Sequence, residues 1–407
     1  MQALRDAGVN SACAIRTVGG DMALSILGHL TGLEEAAAQI AQSWRPGDPA
    51  YQADMYRQIM MNLSYAYFVY FHADAEHPDW APLWNPVYLH QPNPDDIYLY
   101  SPIRGDLKYR VSGNRGTCRR LIFNTMAGFT GMVDDISEIS DVWGVDDRDL
   151  GLGLREDFEV IFSAERPAGY TGKWAKISPK ATGMMLRYRS WDWTNEIDPQ
   201  LSIECLNRVG PKARLTPQQV LERIHEMAKL PGRFSKLFLP MQDGTRQRAG
   251  VNAFEFIRHP GIKQVYWAAA FEFKPNEALI IETEIPKVAP YWNIQLNDPY
   301  FNAVEYVYRL GSTNGGMARL DSDGKFRAVV SLEDPGVANW LDPAGYTEGT
   351  IYGRWYECDT EPLPAIKRVP LGKVRDQLPK DTLLVTQDER AGQIRQRVRA
   401  AQRRRRW

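Results

Sequence analysis

The stretch from Ala278 to Tyr356 carries the clearest fold signal in the chain, and it opens with the apolar run ALIIETE at residues 278–284. Further short runs rich in β-branched and aromatic residues follow at 291–298, 326–332 and 350–357. Polar turn sequences separate these runs, among them DSDGK at 321–325, and this spacing is typical of antiparallel strands joined by tight turns. The stretch therefore predicts an all-β module, with the loop ANWLDP at 338–343 near its end.

The same strand pattern extends upstream of this module. Alternating apolar runs with short polar turns predict strands at 97–103, 107–112, 117–125, 158–163, 184–188, 201–206 and 265–273. We expect the first three to form an antiparallel meander, and the run 265–273 to form a hairpin with 278–284. One helix interrupts the pattern, with a capping sequence at 216–219 and the terminating sequence LPG at 230–232.

Helices flank the β part at both ends of the chain. Apolar residues at three- and four-residue steps predict one helix over 20–45, and an aromatic-rich segment predicts another over 51–72. A third helix is predicted over 388–407. Residues 390–407 hold eight arginines and no acidic residue, so the formal net charge of −1 divides into +8 there and −9 elsewhere. We interpret this tail as solvated, or as a contact for an acidic surface of a neighbouring protomer.

These patterns predict a mainly β protein with two antiparallel jelly-roll-like sandwich modules. We divide the 407 residues into a helical N-terminal region (1–80), a first β-sandwich module with an inserted helix (81–276), a second β-sandwich module (277–370) and a basic helical tail (371–407). The sequence has no apolar run of about 18 residues and no signal-peptide pattern, so we expect a cytoplasmic protein that crosses no membrane.

Three segments carry a distinctive combination of proline, aromatic and charged residues: PNPDDIY at 92–98 with YRVSGNRG at 109–116, FEVI at 158–161 with WDWTNE at 191–196, and YWNI at 291–294 with NWL at 339–341. In order and spacing they resemble the bacterial proteins that carry the domain of unknown function 1214. The resemblance covers about residues 80–370. It implies stacked antiparallel β-sandwiches with a helical N-terminal part, and it implies no established chemistry. The arginine-rich tail lies beyond it.

The common catalytic motifs GxSxG, GxxxxGK[ST], GxGxxG and HExxH are absent from the sequence. We therefore expect no organic cofactor and no metal. The segment HADAEH at 72–77 holds residue types that bind zinc or iron, but its spacing fits neither one helix face nor one strand face. A metal enzyme centred on His72 and His77 is kept as a third alternative.

The WDWTNE segment is the most suggestive of chemistry. Trp191 and Trp193 are suited to flank a flat or sugar-like ligand, and Asp192 and Glu196 supply the paired carboxylates that acid–base catalysis requires. We therefore predict that the two acids are catalytic and that the two tryptophans bind substrate. The competing interpretation is structural, with the tryptophans closing the sandwich and the acids paired with arginines.

Two further groups of residues are assigned to the same pocket. On the strand before the WDWTNE segment, Arg187 is predicted to bind substrate, since it and Arg189 are suited to bind an anion or to keep the acids ionised. Near the start of the meander, we predict Asp95 as a third catalytic carboxylate, and the predicted substrate-binding residues there are Asp96, Tyr98 and Arg115. A structural role competes here as well.

The loop at 338–343 contributes two more residues. We predict that Asn339 and Trp340 line the mouth of this pocket. The assigned residues predict a cofactor-independent enzyme of the lyase or hydrolase type, which acts on a small catabolite by carboxylate acid–base chemistry in an aromatic-lined pocket. The alternative is a non-enzymatic jelly-roll protein for ligand binding or assembly. In either case we expect a small-molecule partner and a homo-oligomer, and no nucleic acid.

Overall fold

The computed structural model describes residues 26–43, 49–207, 210–258 and 263–404. The start of the first predicted helix and the last three residues of the basic tail lie outside these ranges. Within them, the helices are α1 (Gly32–Gln42), α2 (Pro49–Phe71), α3 (Pro217–Ala249) and α4 (Gln387–Arg404). The strands are β1 (Ala81–Pro82), β2 (Asp96–Pro102), β3 (Tyr109–Asn114), β4 (Arg120–Ala127), β5 (Ser140–Asp146), β6 (Asp157–Ser163), β7 (Lys173–Lys176), β8 (Gly183–Arg189), β9 (Gln200–Cys205), β10 (Glu255–Arg258), β11 (Gln264–Glu272), β12 (Glu277–Thr283), β13 (Tyr291–Asn297), β14 (Ser312–Asn314), β15 (Phe326–Val330), β16 (Trp340–Leu341), β17 (Glu348–Tyr356) and β18 (Ala365–Pro370).

Four mostly antiparallel sheets form two sandwiches. In the first sandwich, the sheet β1-β2-β8-β4-β5 packs on the sheet β7-β6-β3-β9 around a core that includes Tyr109, Phe123 and Phe162. In the second, the sheet β10-β11-β17-β13-β14 packs on the sheet β16-β15-β12-β18, with Trp267 and Trp355 in the core. The predicted fold class, mainly β with two sandwich modules, N-terminal helices and a C-terminal helix, is confirmed.

The predicted pairing of neighbouring strands is wrong in two places. β2 and β4 both pair with β8, whereas β3 lies in the opposite sheet between β6 and β9, so the three do not form a meander. β11 pairs with β10 and β17, and β12 pairs with β15 and β18, so these two do not form a hairpin. Alternation along a strand specifies which face is buried but not which strand lies beside it. A short turn can equally carry the chain across the sandwich.

Two predicted boundaries also change. β10 and β11 belong to a sheet of the second sandwich, so this module begins at Glu255 and not at residue 277. The helix predicted to stop at LPG continues to Ala249 and contains Pro231 and Pro240. Packing explains its length, because Phe234 and the residues around it are buried against α2 and the strands beneath. That burial outweighs the main-chain hydrogen bonds that the prolines remove.

The helices occupy two regions of the fold. α1, α2 and α3 pack on one another and on the outer faces of both sandwiches, and α4 returns at the end of the chain to the junction between the sandwiches. On α4, Arg390, Arg397 and Arg404 are only 5%, 7% and 4% exposed. The interpretation of the tail as solvated is therefore wrong for this face of the helix. In the part of the chain that is described, no helix is both long enough and apolar enough to span a bilayer.

Candidate ligand sites at the junction of the two sandwiches

Asp95 lies just before β2 and links three segments of the chain. Its carboxylate accepts hydrogen bonds from Trp193 Nε1 at 2.8 Å, Tyr291 Oη at 2.7 Å and Asn314 Nδ2 at 2.7 Å. Burial raises the pKa of Asp95, and these donors act against the increase. Tyr291 and Asn314 belong to β13 and β14 of the second sandwich. The side chain predicted to be catalytic therefore acts as a buried cross-link between the modules.

The neighbouring carboxylate, Asp96, forms a buried ion pair within the first sandwich. Arg189 Nε and Nη2 donate to its two oxygens at 2.6 Å and 2.9 Å. Burial would raise the pKa of Asp96, but the charge and hydrogen bonds of Arg189, with the charges of Arg187 and Arg354, hold this pKa below its usual range. In the β2–β8 pair, Asp96 stands opposite Arg189 and Tyr98 opposite Arg187. All four side chains therefore share one face of the sheet.

Arg354 reaches the same region from β17 of the second sandwich. It is 3% exposed, and its Nη1 donates to Gln295 Oε1 at 2.6 Å and to Asn293 Oδ1 at 3.3 Å. Its guanidinium lies 5.4 Å from the ring centroid of Tyr266. The structure thus brings together Asp96, Tyr98 and Arg187, as predicted, and adds Arg354. The sequence has no signal for this addition, since the residue comes from a distant strand of another module.

The two acids of the WDWTNE segment stabilise their own turn. Asp192 accepts hydrogen bonds from the main-chain N of Thr194 at 2.9 Å and from Asn195 Nδ2 at 2.7 Å. Glu196 Oε2 accepts one from the main-chain N of Trp191 at 2.9 Å, and burial raises the pKa of Glu196. These contacts correspond to the structural interpretation in part, because the acids pair with main-chain and amide groups and not with arginines.

The two tryptophans of this segment contact arginines. The Arg119 guanidinium lies 4.4 Å from the Trp191 ring centroid. On the other side of the turn, Trp193 is buried, and Arg397 and Arg404 of α4 lie 4.5 Å and 5.7 Å from its ring. The segment therefore connects the first sandwich to the C-terminal helix, a contact between distant parts of the chain that no local sequence pattern indicates.

A groove of about 790 Å³ runs beside α4. Four of the predicted site residues line it, namely Asp192, Trp193, Asn339 and Trp340. The last two also brace its wall, since Asn339 Nδ2 donates to the main-chain O of Arg319 at 2.6 Å and Trp340 Nε1 donates to the main-chain O of Ser331 at 3.0 Å. Other lining residues include Thr313, Arg319, Leu384, Glu389, Gly392, Gln393, Gln396 and Arg399.

Arg115 does not join either group of polar residues. Its side chain is buried, and it donates to Asp147 Oδ2 at 2.5 Å and to the main-chain O of Cys118 at 2.6 Å. These contacts fasten the turn before β4 to the loop after β5 within the first sandwich. The residue predicted to bind substrate is therefore part of a structural ion pair.

The histidines at 72 and 77 lie in separate pairs. His72 Nε2 is 3.2 Å from Asp79 Oδ2, and His77 Nδ1 is 3.2 Å from Asp74 Oδ1. Over the described ranges, histidine, cysteine and acidic side chains form no group of three or more that could hold a metal ion. The two pairs correspond to ordinary polar contacts at the end of α2.

Comparison with known proteins gives a structural likeness. No family model matches the chain, and no curated protein matches it significantly. An uncharacterised protein from Burkholderia cenocepacia aligns with a TM-score of 0.77 and 26% sequence identity, covering 86% of this chain and 97% of that one. A protein from Vibrio parahaemolyticus aligns with a TM-score of 0.46 and 14% identity, covering 85% of this chain and 100% of the other. The chain is thus similar over most of its length to the Burkholderia protein.

Proposed function

We propose that this protein binds a small molecule in the groove beside α4. The observation that carries the proposal is the convergence of Asp192, Trp193, Asn339 and Trp340, which come from both sandwiches, on one groove of about 790 Å³. Ligand pockets in proteins have volumes of roughly 300–1,000 Å³ and combine aromatic walls with a few polar groups. The groove fits this description.

The lining residues indicate the chemistry of the ligand. Trp340 offers a half-buried indole, and Thr313, Gln393 and Gln396 offer hydrogen-bonding groups along the wall. Arg319 and Arg399 are exposed at the groove and form no ion pair with any residue in the described part of the chain. We therefore expect a polar molecule with a flat or ring-shaped part and a neutral or negative charge.

Binding is favoured over catalysis because only one of the three predicted acids, Asp192, lines the groove. Asp95 is buried among three donors, and Glu196 does not line the groove. A second candidate function, the cofactor-independent lyase or hydrolase, is supported by the Asp192 carboxylate in the groove wall and by the raised pKa of Glu196 on the same turn. Turnover of a bound compound that is lost in both Asp192→Asn and Glu196→Gln, with folding intact, would favour this enzyme.

We also propose that the chain belongs with the proteins that carry the domain of unknown function 1214. In support, parts of each segment of the resemblance meet at the junction. Residues 92–98, 191–196 and 291–294 supply Asp95, Trp193 and Tyr291 to the buried hydrogen-bond network, and Asn339 and Trp340 line the groove.

The groove can be tested by filling it. A Cβ atom built on Gly392 has no atom within 4 Å, and this residue lines the groove, so Gly392→Trp places an indole in it without a clash at Cβ. Gly372→Trp is the matched control, because Gly372 is equally open and does not line the groove. Full-length protein is screened by thermal shift against sugars, aromatic alcohols and small carboxylates.

A compound that stabilises the wild type and Gly372→Trp, but not Gly392→Trp or Trp340→Ala, supports the proposal. Equal stabilisation of all four proteins places the compound elsewhere and contradicts it. The absence of any stabilising compound in a broad panel also counts against the proposal.

A further inference from the structure

A second feature of the junction is an excess of positive charge, most of it buried. Arg187, Arg189 and Arg354, which we call the arginine cluster, surround one carboxylate, that of Asp96. The same three guanidinium charges act on the hydroxyl of Tyr98. Arg189 and Arg354 are 1% and 3% exposed, and Arg187 is half-buried. Among these four groups, three positive charges and one negative charge leave a net charge of +2. The Asp95 carboxylate lies beyond Tyr291, whose ring contacts Arg189 and whose hydroxyl donates to Asp95.

The hydrogen bonds of the cluster do not account for this excess. Arg189 uses Nε and Nη2 on Asp96, and its guanidinium packs on the rings of Tyr291 and Tyr356 at 4.2 Å and 5.1 Å, but its Nη1 is buried with no hydrogen-bond partner among the described residues. Arg187 Nε is also buried and has no hydrogen-bond partner among the described residues. Arg354 donates to the amide oxygens of Asn293 and Gln295, which carry no charge. Because a buried charge without a counter-charge is costly, and so is a buried donor without an acceptor, the cluster calls for an additional acceptor with negative charge.

The surroundings offer an approach from solvent. Tyr98 Oη donates to Asp96 Oδ2 at 3.4 Å, so its proton is already shared with the one carboxylate of the cluster. Arg187 and Tyr266 are only half-buried, so a ligand would reach the cluster from solvent beside these two residues. None of these residues lines the groove beside α4, so the cluster is a separate region. The carboxylate that the cluster surrounds, Asp96, directly follows Asp95 in the chain.

We propose that the arginine cluster binds a compact oxyanion, either a small dicarboxylate or inorganic phosphate, between the two sandwiches. A planar guanidinium presents two parallel N–H groups that match two oxygens of a carboxylate or phosphate. A dianion also balances the net charge of +2. One half of the site comes from β8 and the other from β17, so the ligand would join the two modules.

The test titrates full-length protein with inorganic phosphate, oxalate and succinate by calorimetry, with sodium chloride at equal ionic strength as the reference. Saturable binding of phosphate or of a dicarboxylate is expected. The anion with the lower Kd shows which of the two ligand classes the site prefers. Arg187→Gln should weaken this binding about tenfold to a hundredfold, since it removes charge-assisted hydrogen bonds. Arg110→Gln is the control, because Arg110 is an exposed arginine paired with Glu204 and Glu159.

Two outcomes overturn the proposal. One is the absence of saturable binding of all three oxyanions beyond the effect of chloride. The other is an unchanged affinity in Arg187→Gln. If Arg187→Gln does not fold, Arg187→Lys keeps the charge but loses the planar pair of donors, and several-fold weaker binding is then expected. Unchanged affinity in Arg187→Lys overturns the proposal in that case.

Discussion

The guanidinium Nη2 of Arg404 donates to the main-chain carbonyl of Asp95 at 2.9 Å and so joins the last turn of α4 to the start of β2 in the first sandwich. Two more arginines on this face contact the second sandwich. Arg390 Nε donates to Asp334 at 2.8 Å, and Arg397 Nη2 donates to Ser312 at 2.7 Å. Steps of seven residues are nearly two helical turns, so one face of α4 fastens both modules.

Removing the last of these contacts should destabilise the whole fold. We expect Arg404→Ala to lower the free energy of unfolding by about 2–4 kcal/mol, because it withdraws a buried guanidinium from the buried carboxylate of Asp198. Arg399→Ala, at an exposed position of the same helix, should change it by less than about 0.5 kcal/mol. Urea denaturation of both variants measures the difference. Similar effects of the two substitutions would mean that the buried arginine face of α4 does not stabilise the packing of the two sandwiches.

A double-mutant cycle can distinguish a structural role of the ion pair between Arg115 and Asp147 from a role of Arg115 in ligand binding. Arg115→Met should cost about 3–5 kcal/mol of unfolding free energy, because it leaves a buried carboxylate without its partner. Arg115→Met with Asp147→Leu should cost clearly less than the sum of the single changes. Additive costs would contradict the structural pair. A folded double variant that loses the binding of a groove ligand would restore Arg115 as a binding residue.

Gly316 holds the position of Trp191. A Cβ atom at residue 316 would lie 1.6 Å from Cδ1 of this indole, so Gly316→Ala must displace the ring from Arg119. We expect a loss of about 1–3 kcal/mol in stability and a change in tryptophan fluorescence. Gly392→Ala is the control, since its Cβ meets no atom within 4 Å. An unchanged fluorescence spectrum in Gly316→Ala would show that the indole does not pack on this glycine.

The sequence specifies the strands of this fold better than it specifies their neighbours. The short apolar runs of β11 and β12 were sufficient to predict both strands, because each run is bounded by polar turn residues and is buried on both sides. The pairing of β11 with β17 depends on the packing of two whole sheets and on contacts between distant segments. For the same reason α3 extends past Pro231, since its length is set by partners in the tertiary structure.

The candidate site shows the same division between local and distant information. Arg187 was identified as a possible anion-binding residue on the strand that leads into the WDWTNE segment, and Asp96 as one of a group of polar residues near the start of the predicted meander. Their meeting with Arg354 depends on how two modules dock, which no local pattern encodes. Asp95 was identified for its charge. Its role follows from three donors on distant segments, and this could not be predicted from spacing.

A buried acid of the second sandwich should give stability a characteristic dependence on pH. Asp298 Oδ1 accepts hydrogen bonds from the main-chain N of Tyr300 and of Asn302, both at 2.9 Å. Burial raises the pKa of Asp298 from 3.8 to about 6, and the nearby charge of Asp54 adds to the increase. The folded protein therefore holds this proton more tightly than the unfolded chain does. The stabilisation from the proton is complete below the unfolded pKa and is lost as the pH rises through about 6.

Asp298→Asn removes this titration. Going from about pH 4 to pH 7, the unfolding free energy of Asp298→Asn should rise by about 2–3 kcal/mol relative to that of the wild type, as expected from the size of the pKa shift. Asp106→Asn is the comparison in which stability should depend on pH with the opposite sign. Hydrogen bonds from Arg104 lower the pKa of exposed Asp106, so the stability that the charged Asp106 contributes is lost as the pH falls. Urea denaturation at several pH values measures both differences. Parallel pH profiles of the wild type and Asp298→Asn would mean that this carboxylate titrates alike in the folded and unfolded chains, and burial would then not control its charge.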